Sequence, residues 1–354
     1  MPNPNELAPL TVIPGAIRFN TDSMKLEYYR GGPVGFGTTT QTGEWVNLTT
    51  DSPDIQTGGA RGLFAGGYTN TPASFTNIID YITISTTGNA INFGDLPTAR
   101  QDAHGTSSNT RGVFAGSSGP QNNFIEYVTI SSTGNSQTFG QLSRNSAYHW
   151  GCSSQTRGLY CGGRVSPATF LNTIDYITIA STGNAVDFGD LTVARDRHCS
   201  FSSSTRGIIA GGRIATPATT TNIVDFITIS TLGNAADFGD LYISVEFAGG
   251  CSNSTRGIIG GGQTPAAINV MQYLAIATLG NSQDFGDLTV ARLASSSCAS
   301  PTRGVWRGGE TPTMQNVIDY VTIMSVGNAI DFGDATTTVT SVSGALSNAH
   351  GGLG

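Results

Sequence analysis

Hydrophobic and polar residues alternate over short runs along most of this chain. In Ile223-Val-Asp-Phe-Ile-Thr-Ile229 successive side chains switch faces with a period of two, the mark of a half-buried strand. Runs of this kind are separated by clusters of Gly, Asn, Ser and Thr, residues that favour turns because they tolerate unusual backbone angles or bond their own backbone. Good helix formers are scarce, and no apolar run reaches the roughly 18 residues of a membrane-spanning helix. The pattern predicts an all-β protein with many tight turns.

The runs recur. Arg-Gly occurs at Arg61, Arg111, Arg157, Arg206, Arg256 and Arg303, at spacings of 50, 46, 49, 50 and 47 residues. Each Arg-Gly opens a short apolar stretch that ends in Gly-Gly in five of the six copies. A strand with an aromatic residue follows (Tyr81, Tyr127, Tyr176, Phe226, Tyr273, Tyr320), then a Gly-Asn turn, then a closing Phe (Phe93, Phe139, Phe188, Phe238, Phe285, Phe332). From aromatic to closing Phe is always 12 residues, and from closing Phe to the next Arg always 18. Only the stretch from Arg to aromatic varies, between 16 and 20 residues. Length variation is thus confined to one loop per repeat, directly after Gly-Gly, which maps it to one face, often a binding face.

Each unit divides into four predicted strands, as in His198–Ser202, Gly207–Gly211, Ile223–Ile229 and Ala236–Phe238, with Asn234 suited to the positive φ of a tight hairpin. Counting 18 residues on from Phe332 reaches His350-Gly351 in place of Arg-Gly, so a further first-type strand is predicted around Thr340–Ser347. Residues before Arg61 do not match that strand. The economical arrangement is a ring of six blades, a β-propeller, in which the C-terminal strand completes blade one and leaves no open edge. Residues 51–354 are assigned to it and residues 1–50 to a separate N-terminal β-hairpin module.

Composition adds to this picture. Charged residues make up 12% of the chain, about half the usual share, and Lys25 is the lone lysine beside sixteen arginines. A net charge of −7 without a basic stripe argues against nucleic-acid binding. The start, Met1-Pro-Asn-Pro-Asn-Glu-Leu7, lacks the layout of a signal peptide.

Leu63-Phe-Ala-Gly-Gly67, Asp80-Tyr81 and Asp95-Leu-Pro-Thr-Ala-Arg100 resemble the di-glycine strand, the following Tyr and the closing proline–arginine segment of the kelch family of β-propellers. Phe stands where that family has Trp in the fourth strand, and Gly-Gly is lost at Gly116-Ser117. The resemblance covers about residues 61–350 and implies fold far more than function. A second resemblance lies upstream. Pro14–Tyr29 followed by Glu44-Trp-Val-Asn-Leu48 is similar to a short β-module of bacteriophage tail fibres and other virion proteins. It reads as a hairpin, with Ile17 and Phe19, a polar turn, then Leu26 and Tyr28, and a return strand at Trp45-Val46. That resemblance implies a virion location after synthesis in a host cytoplasm, other virion proteins as partners through residues 1–50, and a homo-trimer, although no heptad is present to enforce one.

The candidate chemistry is sparse. Cys152, Cys161, Cys199, Cys251 and Cys298 have no metal-type spacing and suit small buried positions. His149 and His198 both lie eight residues before their Arg and are brought near each other in adjacent blades, without further ligands for a metal. The carboxylates of Asp95, Asp190, Asp240, Asp287 and Asp334 repeat too regularly to form one acid–base pair and fit turn geometry. No cofactor and no enzymatic activity are expected. The repeated Arg-Gly arginines are expected to fix their own hairpins.

The candidate binding face comprises Tyr68, Phe75 and Phe170 from the variable loops with Arg100, Arg144, Arg164, Arg195, Arg213 and Arg292. Arg197 extends this set. Arginine forks suit the carboxylates or phosphates of a glycan. The competing reading pairs the arginines that follow the closing Phe with acids on a neighbouring blade. The leading expectation is a phage tail fibre or capsid-mounted fibre that binds a host-surface glycan. Alternatives are a purely architectural decoration or connector protein and, further off, a polysaccharide-degrading enzyme.

Overall fold

The computed structural model describes residues 16–20, 25–31, 43–47, 60–70, 72–118, 122–165, 169–215, 218–339 and 344–353. The chain divides into two compact units, Met1–Gln56 and Thr57–Gly354. In the first, Ile17–Asn20, Lys25–Gly31 and Gly43–Asn47 form a three-stranded antiparallel meander, with Arg18 paired to Glu27 at 2.8 Å. The polar turn expected after Asn20 and the residues before Ala16 lie outside the described residues.

The second unit is all-β, as the alternation predicts. Its frame is six antiparallel sheets of like construction, numbered I to VI here by their Arg-Gly strands, which start at Arg61, Arg111, Arg157, Arg206, Arg256 and Arg303; three small sheets of two or three strands lie beside them among the described residues. Each has a first strand, the Arg-Gly strand, a third strand bearing the aromatic and a fourth bearing the closing Phe. In sheet IV these are Cys199–Ser202, Arg206–Ala210, Ile223–Thr228 and Ala236–Asp240. The fourth strand carries one bulge opposite the third, at Phe238, which is passed over between the pairs Val224–Gly239 and Asp225–Asp237. The Arg-Gly strand is almost wholly buried, so it reads as an unbroken apolar run, whereas the third strand alternates.

In sheet I the first strand is Gly344–Ser347, paired antiparallel to Arg61–Ala65 across almost the whole chain. Register refines the expected count. Ser347 lies opposite Gly62 just as Ser107 lies opposite Gly112, so the last spacing is one residue longer than in the other repeats and Gly351, not His350, follows the frame of Arg111.

Successive sheets are joined by three repeating clips, each reaching the next sheet, and each clip between sheets VI and I matches the others. The Arg-Gly guanidinium stacks on its own sheet's aromatic and donates to a carbonyl one sheet on: Arg61 to Ile130, Arg206 to Ile276, and Arg303 back to Ile84, at 3.0–3.1 Å. The expectation that these arginines fix their own hairpins is therefore corrected, because the side chain spans the seam between sheets. The Gly of each Gly-Asn turn donates to the previous sheet's closing Phe carbonyl, as Gly134 does to Phe93 and Gly88 to Phe332, both at 2.8 Å. The Asn amide oxygen beside it accepts from the next backbone N–H but one of that strand, as Asn135 does from Asp95 and Asn89 from Asp334, both at 3.0 Å. The positive φ belongs to Gly233 (150°) and not to Asn234, so the asparagine is used for its side chain rather than for its backbone tolerance.

The first strands complete the cycle. Ser153 Oγ donates to Ser107 O (3.0 Å), Ser202 to Ser153 (2.7 Å), Ser252 to Ser202 (2.8 Å), Ser347 to Ala299 (2.5 Å) and Ser107 to Ser347 (2.7 Å). Ala299 has no hydroxyl, so the belt is broken once. The order of contacts among the six first strands returns to its start. Buried Cys152, Cys251 and Cys298 lie under the glycines of the following sheets, against Gly207, Gly304 and Gly62, as small core groups, and all five cysteines are free thiols.

Candidate functional site

The six first strands enclose a cavity whose water-sized space amounts to about 80 Å³, room for a short column of waters. Serine side chains line it, and at one end His350 fills it, its Nε2 within 3.2 Å of Ser153 Oγ and 3.3 Å of Ser107 O. Its other end, the mouth, is lined by His104, Trp150 and Ser295, at the strand ends that lead into the variable loops.

That mouth is built on unusual backbone. Asp102, Tyr148, Arg197, Phe247 and Ala294 each have φ between 56° and 59°. Their spacing follows the repeat, each nine residues before its Arg. Positive φ is costly for bulky side chains, and such strain concentrates at functional positions. Here it is held by a chain of backbone bonds around the mouth: Arg197 N–H to Tyr148 O (3.1 Å), Phe247 to Arg197 (2.9 Å) and Ala294 to Phe247 (2.8 Å). Just outside, the residue before each of these pairs with the first residue of a variable loop, as in Ala147 with Arg164, Asp196 with Arg213, and Glu246 with Gln263. The loops and the strained residues therefore share one end of the sheets.

The side chains presented there differ in every sheet. Arg197 lies 4.4 Å from the Phe247 ring centroid and 5.4 Å from that of Tyr148, Arg164 lies 4.6 Å above Tyr148, and Arg213 lies 5.3 Å from Phe170. Asp196, fully buried, is approached by Arg164 (3.7 Å), Arg197 (3.8 Å) and Arg213 (3.4 Å). Glu246 accepts from Arg197 (3.1 Å) and from the Gln263 amide (2.8 Å). Asp102 is fully buried, accepts from Ser118, and is pushed up to about 8 by burial, against the pull of the Arg197 and Arg164 charges.

The predicted binding residues separate into two groups. Arg164, Arg213 and Phe170 are half-exposed and lie together at this mouth. Arg100, Arg195 and Arg292 do not belong to any exposed face: all three are fully buried, paired with Glu126, with Asp225 (3.2 Å) and with Asp319 (2.8 Å). The competing reading of these arginines describes them, since each neutralises the acid preceding a strand aromatic. Arg144 is half-exposed and its Nε donates to Ser143 Oγ at 3.3 Å. Tyr68 and Phe75 face each other edge-on at 5.6 Å across the hairpin of Tyr68–Asn70 and Ala73–Phe75, so their rings serve that hairpin. Tyr148, Phe247, Asp102, Asp196 and Glu246 escaped the sequence reading. The available signal was a station at fixed offset from Arg whose residue type never repeats.

Beneath the mouth, His104, His149 and His198 gather around Trp150, with His104 at 4.1 Å from the Trp150 ring, 5.3 Å from His149, and His198 at 5.8 Å from Trp150. No group of three metal-ligating side chains occurs among the described residues. Burial pushes His149 down to about 4 and holds His104 and His198 well below the ordinary imidazole range. Below about pH 6.5 the unfolded chain binds protons on these histidines and the folded chain does not, so stability falls as pH falls. Asp102 acts in the opposite sense, because its folded carboxyl keeps a proton up to about 8 and its contribution is lost as pH rises towards that value. His350, pushed down to about 4 by burial, acts in the same sense as the other histidines, so four histidines outweigh one aspartate between about pH 6.5 and 5, and the expected loss over that window is about 3–5 kcal/mol. Denaturant titrations at stepped pH test this; stability that rises on acidification to pH 5 contradicts neutral buried histidines.

No protein-family model matches this chain, and no curated protein matches it.

Proposed function

We propose that the six sheets are the blades of a kelch-like six-bladed β-propeller and that the protein is a bacteriophage virion component, a tail fibre or capsid-mounted fibre tip. In this reading residues 1–50 form the virion-attachment module and bind other virion proteins, as a homo-trimer, and the variable-loop end of the propeller recognises a host-surface glycan without enzymatic turnover. The observation that carries the recognition half is the concentration, at one end of a repeated frame, of the loops of variable length, the five strained residues and the Arg–aromatic stack of Arg164, Tyr148, Arg197 and Phe247. Stacked aromatic faces beside hydrogen-bonding side chains suit sugar rings, and unique residues on a symmetric frame are where a site is built. The upstream resemblance to virion modules supports the location.

The test is binding of the purified chain to glycan arrays and to isolated host envelopes. Retention on an envelope glycan supports the receptor role. Absence of any retention overturns it in favour of an architectural role, in which imaging of the particle finds both ends of the propeller covered by neighbouring subunits.

A further inference from the structure

Resting on the glycan-binding reading, we propose that the mouth at sheets III and IV binds the carboxylate of an acidic sugar residue, with Arg164 as its anchor and the Tyr148 ring, packed edge-on against Phe247 at 6.0 Å, as the support beneath that guanidinium. Of the three guanidiniums at the mouth, that of Arg164 has the fewest partners among the described residues. Its side chain is 24% exposed, its sole ion-pair contact among the described residues is Asp196 at 3.7 Å through Nε, and no described residue accepts a hydrogen bond from its two terminal nitrogens. Its guanidinium carbon lies 4.6 Å from the Tyr148 ring centroid, a cation–π contact that restrains the side chain. A planar fork with two free donors matches a carboxylate. By contrast, Arg197 is engaged by Glu246 at 3.1 Å and Arg213 by Asp196 at 3.4 Å.

The local charge count favours a single negative charge on the ligand. Three guanidiniums, those of Arg164, Arg197 and Arg213, contact two carboxylates, those of Asp196 and Glu246, at 3.1–3.9 Å. Asp102, whose Oδ1 finds no partner among the described residues, is kept protonated by burial at neutral pH and adds no third charge. The excess of one cation suits a monoanion, and the two flanking carboxylates repel the second charge of a phosphate.

The test uses the full chain against immobilised polygalacturonate, hyaluronate and polysialic acid, each beside its carboxyl-reduced form, with dextran and a phosphomannan as references. The expected result is binding to an acidic polymer that weakens by about tenfold or more on carboxyl reduction, and by a similar factor in Arg164→Met and Tyr148→Ala, about 1.4 kcal/mol per tenfold. Unchanged melting temperatures of both variants show that the fold is kept. Equal binding to native and reduced polymers, wild-type affinity in Arg164→Met, or stronger binding to the phosphomannan overturns the carboxylate anchor and leaves glycan binding standing. Binding to none of the polymers and to no host envelope overturns both.

Discussion

Replacing Asp80 by Ala is expected to destabilise the repeat unit by about 3–5 kcal/mol, because it removes the carboxylate 2.9 Å from the buried Arg307 guanidinium. Asp80 lies on the third strand of sheet I and Arg307 on the Arg-Gly strand of sheet VI, 2.9 Å apart and both nearly solvent-free. Asp80 also accepts from Thr336 Oγ1 at 2.6 Å, which ties the outgoing end of sheet VI to sheet I. The pair therefore sits on the seam where the chain meets its own beginning. Its net worth is another matter, since desolvation of two charges offsets most of their attraction. The double variant Asp80→Leu with Arg307→Met is expected to recover most of the loss. Chemical denaturation of the two variants distinguishes these cases: equal losses would show that charge burial is not the cause.

Replacing Trp306 by Ala is expected to cost about 3–5 kcal/mol through a cavity between sheets V and VI. Trp306 is fully buried among Cys251, Ile258, Met271 and Phe285, and its Nε1 donates to Gly249 O at 3.1 Å. Two glycines of sheet V make room for it. A Cβ at Gly249 would lie 2.7 Å from its Cδ1 and one at Gly260 2.9 Å from its Nε1. Gly260→Ala alone is accordingly expected to cost about 1–3 kcal/mol by overpacking, and less in a Trp306→Phe background, where the ring is smaller. Thermal melts of the three variants check this. Additive losses would mean that the glycine is not there for the indole.

These two sites show what repetition makes legible and what it hides. Arg-Gly, Gly-Asn and the closing Phe recur because each makes the same contact at every seam, so comparing the chain with itself locates the strands to within a residue or two. The extra residue before Gly344 was hidden because the closing strand has no second copy to be counted against. The buried arginines were misplaced on the exposed face for a related reason. Their burial depends on a partner some 26 to 30 residues on, Glu126, Asp225 or Asp319, which spacing from the closing Phe does not reveal. Internal comparison does carry a trace of it. Sheet V has Val245 at the arginine station and a neutral Gln272 at the acid station, so charge is absent from both together. In sheet I the acid is Asp80 and its arginine comes from a different station, Arg307. The mouth was legible only in part: Arg164, Arg213 and Phe170 stand out as loop residues, while Tyr148 and Phe247 need the backbone angle that turns them towards the opening.

The C-terminal strand closes the cycle of sheets, which fixes the mouth and everything built around it. Native-state hydrogen exchange of the backbone amides in 344–347 and 61–65 tests it most directly. Closure predicts that both segments exchange together, at the slow rate of global unfolding, and that Asp80→Ala accelerates both to the same extent. Exchange of 344–347 within seconds while 61–65 stays protected would contradict it.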